Sequence, residues 1–413
     1  MIFERPMNDS TIPRLVSSTL TDHLTAMPAV IVTGARQVGK TTLARALTPG
    51  TREYFSLDDL EVLGIAQRNP SDLLSGQLPV TLDEVQREPD LLLGVKRAID
   101  EQRIPGRFLL TGSANLLLMQ RASESLAGRA SYLTLWPMTR REAVGSDPHS
   151  AWGQLLSSPP KYWGEVLAAK GHSRQDWRAI ALRGGFPTPA LHLRSQSDRT
   201  IWFDGYVRTY LERDLRELSE VSSLPDFRRL MRAASLRVGQ LLNQTELGRD
   251  VGSPQPTVRR HLNLLEASYQ LIRLPPYSVN RSKRLIKSPK LYWGDTGVAL
   301  HLSQESAPRG AHLENMVMLD LLSWRDSQQS SPEIFYWRTT TGEEVDFVIE
   351  ANGQLIPIEV KSTTRPGFKD SANLRLFRSQ YQENCKAGLV LHAGDDLKWL
   401  APNILAAPWW TVM

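Results

Sequence analysis

Val30-Ile31-Val32-Thr33 runs into Gly34-Ala35-Arg36-Gln37-Val38-Gly39-Lys40-Thr41-Thr42, and helix-forming residues follow from Leu43 to Leu47. An apolar strand that ends in G-x-x-x-x-G-K-T and opens a helix is suited to holding a phosphate chain. The two glycines let the backbone fold around an anion, so that main-chain N–H groups and the helix N-terminus point at it. Lys40 is expected to reach the β- and γ-phosphates and Thr41 to hold Mg²⁺, which makes Gly34 to Thr42 the ATP-binding stretch. The strand before and the helix after distinguish this motif from an ordinary glycine-bearing turn.

Working outward, a second strand is expected at Glu53 to Leu57, followed by a helical segment to about Leu74. Leu78-Pro79-Val80-Thr81-Leu82-Asp83-Glu84 is then an apolar strand ending in two carboxylates, the second half of a nucleotide site. Asp83 is placed to hold the Mg²⁺ shell, and Glu84 to orient or deprotonate an attacking water. A third strand, Arg107 to Thr111, ends in Gly112-Ser113-Ala114-Asn115. Ser113 and Asn115 are either γ-phosphate sensors or N-caps of the next helix. With a further strand at Tyr132 to Pro137, the alternation describes a parallel α/β sheet with helices on both faces.

The phosphate loop, Leu82-Asp83-Glu84-Val85-Gln86, Leu109-Leu110-Thr111-Gly112-Ser113 and Leu126-Ala127-Gly128-Arg129, in this order, resemble the AAA+ ATPases. The resemblance is to a prokaryotic group in which the ATPase is joined to a poorly characterised C-terminal domain. It implies Mg-ATP hydrolysis and assembly into rings or other homo-oligomers, with an arginine of one subunit contacting its neighbour's γ-phosphate. Arg129 is the first candidate for that arginine and Arg121 the second; a desolvated guanidinium stabilises charge developing on the transferred phosphoryl group.

The chain has 413 residues, 41% hydrophobic and 23% charged. At ~150 residues per domain, two to four domains are expected. The net charge is only +5, yet the basic residues bunch, which makes nucleic acid a candidate partner. The single cysteine, Cys385, excludes a disulfide framework or a multi-thiolate metal site within one chain, and a reducing cytoplasm is expected. Residues 1–18 hold no apolar run long enough for a signal peptide, and no run of ~18 apolar residues follows, so neither export by that route nor a membrane span is expected.

Beyond the ATPase domain, expected over residues 1–145, the sequence loosens between Arg140 and Pro160 into a boundary or surface insertion. Residues 146–225 read as a helical lid or connector, with an apolar stripe of Trp202, Phe203, Tyr206, Tyr210, Leu211 and Leu215 on a helix from Trp202 to Leu218. Three helices and the strand Leu271 to Leu274 give residues 226–277 the pattern of a winged helix-turn-helix. Its third helix, Gln255 to Ala267, would expose Gln255, Thr257, Arg259, Arg260 and Asn263 to phosphates and base edges. Arg281, Lys283, Arg284, Lys287 and Lys290 then put five positive charges in ten residues and extend the expected DNA contact.

In residues 278–413, helix Ala311 to Trp324 carries Glu314, a strand carries Asp346, and a hairpin turn at Asn352-Gly353 returns through Glu359-Val360-Lys361. Asp346 and Glu359 fall on neighbouring strands, and Glu359 and Lys361 share a face. Carboxylates so placed can chelate Mg²⁺ while the lysine activates water. This constellation resembles the PD-(D/E)xK nuclease fold, with Val345 in place of the usual proline, and implies a C-terminal α/β restriction-endonuclease-like domain whose cleavage activity the motif leaves open. The combined expectation is an ATPase that binds and remodels, translocates or processes DNA. The alternative is a nucleotide-gated switch, a sensor or antitoxin-like regulator, whose C-terminal domain binds partners without cutting.

Overall fold

The computed structural model describes residues 12–47, 51–112, 126–145, 151–169, 175–209, 223–330 and 332–413. The first sheet comprises β1 (Ala29–Thr33), β2 (Glu53–Ser56), β3 (Val80–Asp83), β4 (Phe108–Thr111) and β5 (Ala130–Thr134), in the order β2-β3-β4-β1-β5. Every neighbouring pair is parallel, so the C-terminal ends of β1, β3 and β4 share one edge. The strands are apolar along their length because both faces are covered. Ala29, Ile31, Phe108 and Leu110 pack with Val95 and Ile99 of one helix (Leu91–Glu101). Val30, Val32 and Leu109 face the other way, towards Leu20 of α1 (Ser17–Ala26) and Leu43 of α2 (Lys40–Leu47).

That second face does not close a separate domain. Its core continues through Trp152, Phe186 and Phe203 to Leu262, Leu313 and the inner residues of the C-terminal sheet, such as Ile358 and Leu389. The middle region contains α3 (Leu224–Ser235), α4 (Gln244–Val251) and α5 (Gln255–Ala267), followed by β6 (Leu271–Leu274) and β7 (Lys290–Trp293), which pair antiparallel. Of the aromatic stripe expected on one long helix, Trp202, Phe203 and Tyr206 cluster with Phe186 as core packing; Tyr210, Leu211 and Leu215 lie outside the described residues.

The C-terminal sheet contains β8 (Glu333–Arg338), β9 (Glu344–Ala351), β10 (Gln354–Lys361), β11 (Gly388–His392), β12 (Lys398–Ala401) and β13 (Ile404–Pro408), in the order β12-β13-β11-β10-β9-β8. It is mixed, with β10, β11 and β13 parallel and the other pairs antiparallel. Helix α6 (Gly310–Asp326) joins the core on one face, through Leu313 and Val317, and α7 (Ala372–Gln380) packs Leu374 and Phe377 against the other. The chain therefore has the expected α/β architecture of a parallel P-loop sheet, a helical region and a C-terminal sheet domain.

The loose stretch after Arg140 departs from expectation. Arg140, Arg141 and Glu142 are buried, and so are Trp152 and Leu155. Arg141 Nη2 lies 3.0 Å from Asp320 Oδ1 of α6, both side chains being only 1% exposed, and Trp152 Nε1 donates to Asp320 Oδ2 at 2.7 Å. The polar composition that suggests a surface insertion is in fact the charged half of a buried junction with the C-terminal domain. Asp320→Ala removes the carboxylate from beside a buried guanidinium, which costs about 3–5 kcal/mol. A denaturant-unfolding midpoint close to wild type would show that the pair does not hold this junction.

Candidate functional site

The loop from β1 to α2 has the backbone that its glycines permit. Gly34 (φ +144°) and Gly39 (φ +97°) both lie in the left-handed half of φ, and a Cβ on Gly34 would meet the Leu135 carbonyl oxygen. Lys40 is buried and donates from Nζ to the carbonyl oxygens of Ala35 at 2.8 Å and Gly34 at 3.2 Å. Burial lowers its pKa to about 8; Glu84 and Asp83 work against that shift and Arg36 adds to it. Thr41 Oγ1 donates to Asp83 Oδ2 at 2.8 Å, joining the helix N-terminus to the end of β3. Glu84 follows in a left-handed conformation (φ 60°, ψ 42°) that non-glycine residues seldom hold without a surrounding constraint. Its backbone N–H donates to Thr111 Oγ1 at 3.4 Å, and its carboxylate accepts from the Gln86 side chain.

This donor set fits a nucleotide with its metal: a buried ammonium, a glycine cradle that a Cβ would fill, and a hydroxyl–carboxylate pair. Gly34 to Thr42 would hold the phosphates and Thr41 with Asp83 the Mg²⁺, which supplies charge neutralisation at the phosphoryl oxygens. Three further side chains shape the site. Tyr54 donates to Asp83 Oδ2 at 2.6 Å and Thr111 donates to Asp83 Oδ1, so the carboxylate is fixed from both sides. Arg14 donates to the Val38 carbonyl of the loop at 2.8 Å and to Trp136 O at 2.7 Å, with Nε 3.0 Å from Glu142 Oε1. Arg14 lies just ahead of α1, which begins at Ser17, and no local pattern in the sequence marks the contact.

Arg129 immediately precedes β5, its carbonyl accepting from Ala29 N at the end of the sheet opposite the phosphate loop, and its guanidinium pairs with Asp100 at 2.6 Å. The γ-phosphate that Arg129 is expected to contact is a neighbouring subunit's, not the one at this chain's own loop. Ser113, Asn115 and Arg121 lie outside the described residues.

The C-terminal constellation converges, with an addition that sequence reasoning missed. Register shifts where β8 meets β9, with Phe335 opposite Val348 and Trp337 opposite Val345, so Asp346 sits in a bulge. Asp346 Oδ2 accepts from Val360 N at 2.8 Å, and Lys361 Nζ donates to Glu359 Oε1 at 2.6 Å. Burial, reinforced by Asp346, raises Glu359 to about 8 and Glu314 to about 7, against the pull of Lys361 and Lys290 respectively. Lys290, counted in the basic run expected to extend the DNA contact, is instead buried on β7. Its Nζ lies 2.6 Å from Glu344 Oε1, 2.8 Å from Glu314 Oε1 and 3.2 Å from Asp346 Oδ1. Burial disfavours its charge, but Tyr292, Asp346, Glu314 and Glu344 outweigh this and raise its pKa. Among the described residues, no group of three or more His, Cys, Asp or Glu side chains is arranged to hold a metal ion; the cation in this cluster is an ammonium. The signal was available in Lys290-Leu291-Tyr292-Trp293, an apolar strand whose first residue shares a face with Tyr292.

Arg284 is likewise no free DNA contact. It is buried, its Nη1 lies 2.6 Å from Glu350 Oε2, and its guanidinium stacks 4.4 Å from the Phe335 ring centroid. Gln255, Arg259, Arg260 and Asn263 are exposed on α5, Thr257 is half-buried there and Arg281 is exposed further on; the Lys283 side chain lies outside the described residues. An open groove of about 1500 Å³ runs between α5 and the Lys287–Pro289 segment, lined by Gln255, Arg259, Arg260, Asn263 and Lys287. Arg259, Arg260 and Lys287 have no ion-pair partner among the described residues, whereas Arg273 in the same groove pairs with Glu266.

Residues 26–144 match a family described as an AAA domain, so this chain carries a P-loop ATPase domain. Residues 174–309 and 309–412 match two domains of unknown function, DUF8612 and DUF4143. The chain belongs to the family of the uncharacterized proteins Rv2008c of Mycobacterium tuberculosis and Mb2031c of Mycobacterium bovis. It is 32% identical to each over 391 residues, which covers 92% of this chain and 80% of theirs. Among solved structures, the Walker-type ATPase PABY2304 of Pyrococcus abyssi is similar, with 19% identity, a TM-score of 0.47 and coverage of 73% of this chain and 99% of that one. No helix among the described residues is long and apolar enough to cross a membrane.

The Lys40 shift has a definite sign. Its native pKa of about 8 lies below the unfolded value, so between about pH 8 and 10.5 the unfolded chain binds more protons and this group's contribution to stability rises with pH. ATP binding runs the opposite way, because phosphate needs the ammonium. Affinity is expected to fall as pH rises past about 8, with proton uptake on binding, measured by calorimetry in buffers of different ionisation enthalpy. Flat affinity and no proton uptake up to about pH 9.5 would remove Lys40 from phosphate contact.

Proposed function

We propose that this protein is a Mg-ATP-hydrolysing P-loop ATPase that grips DNA in the groove along α5 and changes that grip with its nucleotide state. In this reading α3, α4, α5 and the β6–β7 ribbon act as a winged helix. Arg259, Arg260 and Lys287 contact phosphates, and Gln255 and Asn263 face base edges. The observation that carries the proposal is the groove, where three exposed cations without ion-pair partners among the described residues line one open channel beside a polar helix face. Coupling has a direct route. The Tyr269 hydroxyl, just beyond α5, is 2.8 Å from Thr33 Oγ1, and Thr33 precedes the first glycine of the phosphate loop. Glu84 orients the attacking water and Lys40 holds the phosphates.

The second reading, a nucleotide-gated switch whose C-terminal domain binds without cutting, is favoured by one observation: two carboxylates of the nuclease-like constellation, Glu314 and Asp346, are paired with Lys290. ATP turnover measured with and without single-stranded, duplex and branched DNA separates the two. One DNA form is expected to stimulate turnover. Arg259→Ala and Arg260→Ala should each lower the salt dependence of DNA affinity by about one counterion while leaving basal turnover unchanged. Lys40→Ala should abolish turnover with the fold intact. Turnover indifferent to every DNA, with no DNA bound, would leave the switch as the function.

A further inference from the structure

Four carboxylates gather at one point of the C-terminal domain: Glu314 from α6, Glu344 and Asp346 from β9, and Glu359 from β10. Three of them close on a single ammonium, Lys290 Nζ, at 2.6, 2.8 and 3.2 Å, and that side chain is 2% exposed. The fourth, Glu359, has one oxygen engaged by Lys361, while its other oxygen, Oε2, is buried and has no hydrogen-bond partner among the described residues. Tyr292 donates to the same Glu314 oxygen that meets Lys290, and Val360 N donates to the other oxygen of Asp346, so both carboxylates are held in place by further donors. Carboxylate oxygens are the donors a hard divalent cation takes, but with Lys290 among them these form no metal-holding group.

We propose that Lys290 is a built-in cation that masks a divalent-metal site formed by Glu314, Glu344 and Asp346, with Glu359 Oε2 as a further ligand. The masked site takes no metal in the wild-type chain, and removing the ammonium opens it. The scale of the exchange is small. Divalent cations hold carboxylate oxygens at about 2.0–2.6 Å, so the three donors need to close in by about 0.5 Å on average. The ammonium is not on a loop that can swing aside. Lys290 pairs with Leu274 across the β6–β7 ribbon and bridges to Leu241, while the flanking backbone is tied by Leu242 N to Pro289 O at 2.8 Å and Leu291 N to Gln240 O at 2.9 Å. A metal entering the wild-type site would have to bury a second cation beside the first, without the solvation it gives up. This inference is independent of whether the α5 groove binds DNA.

The test is a Mn²⁺ titration of the full chain by calorimetry, in an Asp83→Asn background that silences the nucleotide-linked metal. The chain with Lys290 intact and its Asp346→Asn variant should take up the same number of ions. Lys290→Met should take up one more ion than Lys290→Met/Asp346→Asn. If Lys290→Met fails to fold alone, its thermal transition is followed against Mn²⁺, and recovery of a cooperative transition is the expected result. The proposal is overturned by an Asp346-dependent ion in the chain that keeps Lys290, by a folded Lys290→Met chain that gains none, or by a Lys290→Met chain that stays unfolded at every Mn²⁺ concentration.

Discussion

Burial of the Val30–Val32–Leu109 face of the ATPase sheet in the same core as the C-terminal sheet is the constraint on which the rest of the molecule depends. A P-loop sheet has to cover both faces. Here one face is closed by the ATPase domain's own helices, and the other by a core that continues through the helical region to the last strands. That arrangement brings charged groups into the seam, where each needs a partner. Arg14 with Glu142 and Arg141 with Asp320 are the result, and through them the phosphate loop, the start of the helical region and α6 are in contact. Pairs of this kind contribute little net stability compared with apolar packing, but breaking one strands a charge and is costly. They therefore hold the units in one relative placement.

The same seam connects the nucleotide site to the groove. Thr33 is the last residue of β1, and its hydroxyl meets Tyr269, which packs edge-on to Trp136; Trp136 O in turn accepts from Arg14. Arg14 also holds the loop carbonyl of Val38. The phosphate loop is thus touched by a side chain from ahead of α1, and the strand residue that leads into it by one from beyond α5. A change in loop conformation has packed neighbours to push on, and packed neighbours respond by discrete rearrangement more readily than by gradual deformation.

What was legible in the sequence is what short-range chemistry fixes. The phosphate loop, the Asp83–Glu84 strand end, α4, α5 and the Asn352-Gly353 hairpin each carry their signal within a dozen residues, and their limits fall where glycine, proline and capping residues put them. The convergence of Glu314, Asp346 and Glu359 could also be read, because strand alternation and one hairpin bring them together. The partners that decide the electrostatics could not. Arg14 meets Glu142 across 128 positions, and Lys290 meets Asp346 across 56. No periodicity encodes those distances, and a lysine opening an apolar strand resembles the end of the basic run before it. Arg141 and Trp152 were hidden for a related reason: polar residues at a buried junction have the composition of a surface loop.

Two buried lysines show how much rests on such partners. Lys40 is surrounded chiefly by backbone carbonyls, with the carboxylates of Asp83 and Glu84 too few to offset desolvation, and its pKa falls to about 8. A charge held so reluctantly gains from an incoming phosphate, which supplies the compensation that the protein withholds. Lys290 is buried as deeply, but three carboxylates already surround it and its pKa rises. It gains nothing from an added anion and repels an added cation. The first lysine makes its loop a binding site. The second fills its site from within, and for this reason a carboxylate constellation of nuclease type does not by itself amount to a metal centre in this chain.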